Sequence, residues 1–284
     1  SDDAFQIRQN HVYLDSATFG RITLGQSSTV TDGLWTINLA NTQVTHGEMD
    51  EHSSVLSMPF QDTFRDVFDG PRAQGVFYRS PTFGGFILSA GWYHGTQADK
   101  DTFASPGYSP DDADEAWEVA LRYAGEFNGI RIAGGVGYRK EIENDNSSTV
   151  VLGSRNADNE IWMASGSVMH TPTGLFVAGG YADRDSDDVR NRRDAFWLSA
   201  GIEKNWFGVG NTTLFGQYAQ YDMDSNAEVY DGSYWGLGIT QSIDAAATDL
   251  YVNFRQYQLD DVVAQETYTE DTANVITAGM IIKF

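Results

Sequence analysis

The chain has 284 residues and a formal net charge of -22, with a pI near 4.3. So acidic a surface lacks the basic patches that nucleic-acid phosphates require, which excludes nucleic acid as a partner. The absence of cysteine removes disulfide frameworks and thiolate metal sites. The absence of any run of 18 apolar residues removes membrane-spanning helices, though not a barrel whose lipid-facing residues alternate with polar ones.

Alternation of apolar with small or polar residues recurs down the whole chain in stretches of roughly ten residues, the period that puts successive side chains on opposite faces of a strand. Thirteen such stretches are predicted. The first covers about 5–14, a turn follows at 16–20, and the second covers about 21–26. In the first, Phe5 and Ile7 have one parity and Val12 and Leu14 the other, as a bulge or a subunit contact would require.

A long segment, about 27–70, comes next, apolar at Leu34-Trp35-Thr36-Ile37 and acidic elsewhere. Ordinary connections are far shorter, so a functional role is expected for it. Its backbone cannot lie in lipid, but it can fold into a water-filled lumen. Further strands are predicted at about 75–79, 86–94, 117–125, 130–140, 161–170, 175–183, 195–205, 212–221, 233–242, 249–257 and 275–284. In the stretch 130–139, Ile130, Ile132, Val136 and Tyr138 share one face, and Arg131, Ala133, Gly135, Gly137 and Arg139 share the other. A sandwich would bury the first face; an outer-membrane barrel turns it to lipid.

The later connections sort into two kinds. Those at 80–84, 128–129, 171–174, 207–211 and 244–247 are tight, several with the Asn-Gly or Pro/Gly chemistry of turns. Those at 96–115, 143–159, 184–194, 222–231 and 260–272 are long and acidic. A soluble all-β binding protein, the most distant alternative, has no reason to sort its loops end by end. A barrel with short periplasmic turns and long external loops does. Large aromatics of outward parity, Trp92, Trp117, Trp162, Tyr123, Tyr138, Tyr181, Tyr218, Trp235 and Phe284, fall near strand ends, where interfacial girdles sit.

Residues 11–26 (HVYLDSATFGRITLGQ), residues 77–89 (FYRSPTFGGFILS) and the C-terminal run Ala278-Gly279-Met280-Ile281-Ile282-Lys283-Phe284 resemble the general diffusion porins of Gram-negative bacteria, most closely the alphaproteobacterial branch. The middle stretch is similar to that family's "RYDSPTFAGFTLS" pattern. The resemblance implies a single domain over 1–284: an all-β transmembrane antiparallel barrel of sixteen strands. The long loop of about 27–70 would then fold inward as the constriction. Three strands are expected to precede the first one here, about 60–80 residues at roughly 20 or more per strand with its loop.

The resemblance further implies a homotrimer in the outer membrane, in contact with lipid and lipopolysaccharide. It implies terminal Phe284 as the signal read by the barrel assembly machinery, and passive diffusion of ions and small hydrophilic solutes. A solute-specific channel of the same architecture is the alternative.

A transverse charge filter is the leading site expectation. The inserted loop offers Glu48, Asp50, Glu51, Asp62, Asp66 and Asp69, and inward parity selects Arg21, Arg79, Arg122, Arg131, Arg139 and Arg255 on the wall. Acids facing bases across a narrow lumen orient dipolar solutes and reject apolar ones. His46 and His52 flank three carboxylates, but a solvated acidic loop accounts for them, so no transition-metal site is assigned. Asp111, Asp112 and Asp114 are weak candidates for calcium at an external loop, since calcium favours several carboxylates. No G-x-S-x-G, P-loop or H-E-x-x-H signature occurs, so no catalytic residue is expected.

Overall fold

The computed structural model describes residues 9–42, 58–64, 66–94, 115–142, 158–186, 192–224, 228–263 and 271–283. They form a single antiparallel sheet of thirteen strands, each hydrogen-bonded to its sequence neighbours. In chain order these are β1 (Asn10–Ser16), β2 (Gly20–Ser28), β3 (Arg72–Arg79), β4 (Phe86–His94), β5 (Glu115–Phe127), β6 (Ile130–Ile142) and β7 (Asn159–His170). Then come β8 (Leu175–Ser186), β9 (Arg192–Lys204), β10 (Thr212–Asp224), β11 (Glu228–Ile243), β12 (Thr248–Val263) and β13 (Asp271–Ile282). Each predicted stretch became one strand. β1 and β13 are the two edges of the sheet, and among the described residues neither pairs with a further strand.

Several strands run longer than alternation suggested: β11 and β12 have 16 residues each. Past the aromatic positions the outward face turns polar, as at Asp222, Asp224 and Asp231, so the period fades while the ladder of backbone hydrogen bonds continues. The tight turn between β5 and β6 is made by Asn128 and Gly129 with φ of 49° and 76°, the left-handed pair that a two-residue hairpin needs.

The outward face carries its large apolar side chains in the open: Trp162 is 56% exposed, Leu198 52% and Leu237 59%. A water-soluble monomer would not display so continuous an apolar band. Two aromatic belts bound it. One passes from Trp117 to Tyr138 (ring centroids 5.0 Å) and on to Trp162 (4.4 Å), with Phe196–Tyr218 and Trp235–Phe254 continuing it. The other lies at the short-turn end, at Phe86, Tyr123 and Phe127. Trp117 to Phe127 is ten residues, about 33 Å along a strand and about 25 Å along the normal at a 40° tilt, the height of a barrel's apolar band.

Val12 and Leu14 on β1 point outward with this band, whereas Phe5 and Ile7 lie outside the described residues. The inserted segment is not wholly irregular. A seven-residue helix, α1 (Met58–Phe64), lies within it, with Pro59 in its first turn, where a missing N–H costs nothing.

Candidate functional site

The segment between β2 and β3 leaves and re-enters the wall at one neck, where the Thr29 N–H donates to the Pro71 carbonyl at 3.1 Å. Three wall side chains seize that neck. Glu118 on β5, fully buried, accepts from the Val30 N–H, from the Thr31 N–H at 3.1 Å and from the Thr31 hydroxyl at 2.6 Å. Arg122, two inward positions further along β5, donates to the carbonyls of Val30 (3.1 Å) and Asp32 (2.6 Å).

Arg139 on β6 reaches both limbs. It donates to the Thr31 hydroxyl at 3.3 Å on the way out and to the Asp69 carbonyl at 2.9 Å on the way back. Glu141 pairs with Arg139 at 2.9 Å and with Arg184 of β8 at 3.5 Å. A buried charge needs such partners, because desolvation otherwise costs several kcal/mol (on the order of 3–5 when one partner is removed).

Beyond the neck the outgoing limb crosses the inner face. Leu34 lies over Gly135 and Gly137 of β6, where a Cβ would sit 2.5 Å and 2.3 Å from its methyls. Ser165 of β7 donates to the Leu34 carbonyl at 2.6 Å and accepts from the Ile37 N–H at 3.0 Å, and Ser167 accepts from the Leu39 N–H at 3.1 Å. Trp197 of β9 donates to the Trp35 carbonyl at 2.8 Å. The Asn41 N–H donates to Glu203 at 2.7 Å, and its amide to Ser242 of β11 at 3.2 Å.

On the return, Phe64 of α1 packs its ring against Tyr221 (5.4 Å), Tyr234 (6.2 Å) and Tyr257 (5.1 Å). One segment thus touches strands from β5 to β12. A flat sheet would hold those about 34 Å apart at 4.8 Å per interval, so the sheet is strongly curled around the segment.

The predicted site residues divide accordingly. Glu48, Asp50, Glu51, Phe284, Asp111, Asp112, Asp114, His46 and His52 lie outside the described residues, and Asp62 sits on α1 with its side chain outside them. Asp66 is not presented to an open lumen. Its carboxylate accepts from the Trp35 indole at 3.1 Å and from the N–H groups of Phe68 (2.9 Å) and Asp69 (3.1 Å), bracing the two limbs. Asp69 accepts from the Gly33 N–H at 2.6 Å. Burial raises both aspartates above the usual carboxylate range. Asp69, also repelled by Asp66 and Asp32, is pushed up to about 7.

Among the arginines, Arg122 and Arg139 serve the neck. Arg255 is buried beside α1, donating to the Tyr257 hydroxyl at 3.2 Å, with its guanidinium 5.0 Å from the Tyr234 ring centroid. Arg131 is exposed near the β5–β6 turn, 4.0 Å from Glu126. Arg21 and Arg79 stay open to the inner space.

Sequence reasoning missed Glu118, Asp32, Ser165 and Ser167. Glu118 has the same inward parity as Arg122 four residues on, which was the available signal. The wall left open lies on β2 to β5, where a cavity of about 330 Å³ is lined by Arg21, Arg79 and Arg122 with Thr23, Phe77 and Ser89. It adjoins a second, of about 310 Å³, lined by Asp15 and Ser80 and sharing Arg21 and Arg79 with the first.

Residues 1–206 match the family model described as Gram-negative porin. No curated protein sequence matches the chain. Among solved structures it is similar to the anion-selective porin from Comamonas acidovorans (TM-score 0.55, 17% identity, 95% of this chain and 77% of that one). It is also similar to outer-membrane-expressed OmpT of Vibrio cholerae (0.57, 16%, 97% and 80%) and to Salmonella typhi OmpF in complex with daunomycin (0.57, 12%, 97% and 78%). A trimer form of the Vibrio cholerae protein is similar too (0.54, 14%, 97% and 78%).

Proposed function

The chain belongs to the Gram-negative porin family, and from that membership we propose how its channel is shaped and assembled. It is an outer-membrane β-barrel protein whose pore passes ions and small hydrophilic solutes by diffusion. It couples no energy and catalyses no reaction. The pore is eccentric. The inserted segment occupies the inner face from β5 to β12, so solutes pass along the β2–β5 wall. They pass between the Arg21–Arg79–Arg122 strip and the acidic limb of the segment.

The observation that carries this is the docking of Leu34, Trp35 and Phe64 against the β6, β9, β10, β11 and β12 wall, opposite an open basic strip. The field between Asp32 and Asp69 on one side and the arginines on the other orients dipolar solutes. Three copies assemble as a homotrimer, a reading supported by the trimer form of a protein of the same fold.

Planar-bilayer recording of the detergent-purified full-length protein tests it. Ohmic steps arriving in threes fit a trimeric diffusion pore. Folded protein that never conducts overturns the channel. Arg79→Gln that leaves the reversal potential in asymmetric KCl unchanged removes the wall strip from the permeation path.

A further inference from the structure

The outgoing limb of the inserted segment ends in a compact tip at the short-turn end of the wall. The Asn38 amide donates to the Thr42 hydroxyl at 3.0 Å, and the Asn38 side-chain oxygen accepts from the Ala40 N–H at 3.1 Å. Ala40 is buried against Met169, Phe176 and Phe215. The tip therefore moves as one body. The wall groups that hold Asn41 all lie at the rim: Glu203 is next to last in β9, Ser242 next to last in β11, and Asp249 second in β12.

Ser242 and Asp249 are direct cross-strand partners. The Asp249 carboxylate accepts from both the Ser242 hydroxyl and the Asn41 amide, while that amide also reaches the Ser242 oxygen at 3.2 Å. Its charge partner comes from beyond the end of β13. The Lys283 ammonium is 2.7 Å away, and the Lys283 N–H donates to the Ala247 carbonyl at 2.8 Å. An ion pair between two exposed side chains is worth little. This one differs, because the Asp249 side chain is only 2% exposed against 59% for Lys283. A buried carboxylate depends on every partner it has, so Lys283, Ser242 and Asn41 are energetically linked through it.

We propose that Asp249 and Lys283 are positioning residues for the inserted segment: they latch its tip, through Asn41, to the end of β13. The short-turn mouth of the pore is then fixed only while that strand end is paired with β12. The inference rests on the eccentric pore proposed above and adds what holds the segment at the end opposite its neck. Coupling of this kind is reciprocal. Loosening the end of β13 frees the tip, and removing the tip's amide loosens the end of β13.

Hydrogen–deuterium exchange on the full-length protein refolded in lipid vesicles reads both directions. Lys283→Gln should speed exchange of residues 36–42 about tenfold, the loss of one charge-assisted hydrogen bond. It should leave the β6–β7 ladder unchanged and raise open-channel noise. Lys283→Arg keeps the charge and should restore both readouts. Lys204→Gln, which removes an exposed charge at the same rim, should behave as wild type. Asn41→Ala should speed exchange of residues 279–283 by a similar factor. Exchange at 36–42 that is unchanged in Lys283→Gln overturns the latch. So does a rise spread equally over the barrel, or Lys283→Arg behaving as Lys283→Gln does. Should Lys283→Gln not fold, Asn41→Ala decides alone, and an unchanged end of β13 overturns the latch. Folded protein that shows the reciprocal exchange but never conducts supports the latch and overturns the channel reading instead.

Discussion

Glu118 on the wall takes both hydrogen-bond donors of Thr31 on the inserted segment, the N–H at 3.1 Å and the hydroxyl at 2.6 Å. The same Thr31 hydroxyl accepts from Arg139, so one threonine is clasped by an acid and a base from adjacent strands. Replacing Glu118 by alanine leaves Thr31 and Val30 with unmet donors and Arg139 with one charge partner fewer, at a cost of about 3 kcal/mol. The segment neck should then swing, giving larger mean conductance and more open-channel noise. Glu118→Gln, which retains an acceptor oxygen, should show a smaller effect. Recordings in which Glu118→Ala matches wild type in both mean and noise would show that the clasp does not hold the constriction.

A second expectation concerns pH. Asp69 is pushed up to about 7 by burial and by Asp66 and Asp32, from an ordinary value of 3.8. Between about pH 4 and pH 7 the docked segment therefore holds a proton that the released segment does not. Docking weakens as pH rises through that window and is level above it. Open-channel noise should rise from pH 6 to pH 8, and Asp69→Asn should remove that rise. A wild-type trace with the same noise at both pH values, or an increase that persists in Asp69→Asn, assigns the effect elsewhere.

The strand pattern was legible because period-two alternation is local: Ile130 and Val136 declare an outward face and Gly135 and Gly137 an inward one without reference to anything distant. The helix α1 was not. Seven residues are too few to be stable alone, and Phe60 and Phe64 become a helical stripe only once Tyr221, Tyr234 and Tyr257 are there to cover them. Parity also placed the wall arginines on the inner face. It could not say that Arg122 and Arg139 would bond to the segment and Arg255 be buried against Tyr234 and Tyr257, while Arg21 and Arg79 stayed open. That depends on where a 40-residue connection lands (roughly, from the gap between β2 and β3). Asp66 read as a pore acid for the same reason. Its partners Trp35 and Phe68 are contacts of the folded segment, invisible to spacing along the chain.

Those two inward glycines give a third test. A Cβ at Gly137 would sit 2.3 Å from a Leu34 methyl, so the outgoing limb docks on bare backbone. Gly137→Val should cost about 1–3 kcal/mol by overpacking, lower the urea midpoint of the folded barrel and raise conductance as Leu34 is lifted from the wall. The outward neighbour Val136→Ala is the control, since it faces away from the segment. Equal conductance in Gly137→Val and wild type would mean that Leu34 does not define the narrow part of the pore.

The outward band makes a depth-dependent prediction. Leu121 is 41% exposed, points outward and lies midway between Trp117 of one belt and the Phe127 level of the other. In a bilayer its surroundings are hydrocarbon, where an arginine costs about 2–4 kcal/mol, falling to about 0–1 near the interface. Leu121→Arg should therefore destabilise the barrel refolded in lipid vesicles by the larger amount and Phe127→Arg by the smaller. Inward changes such as Thr23→Arg should alter selectivity with little effect on membrane stability. If Leu121→Arg and Phe127→Arg cost the same in vesicles, the Phe86–Tyr123–Phe127 level does not mark a membrane interface, and the apolar band would have to be covered by protein instead of lipid.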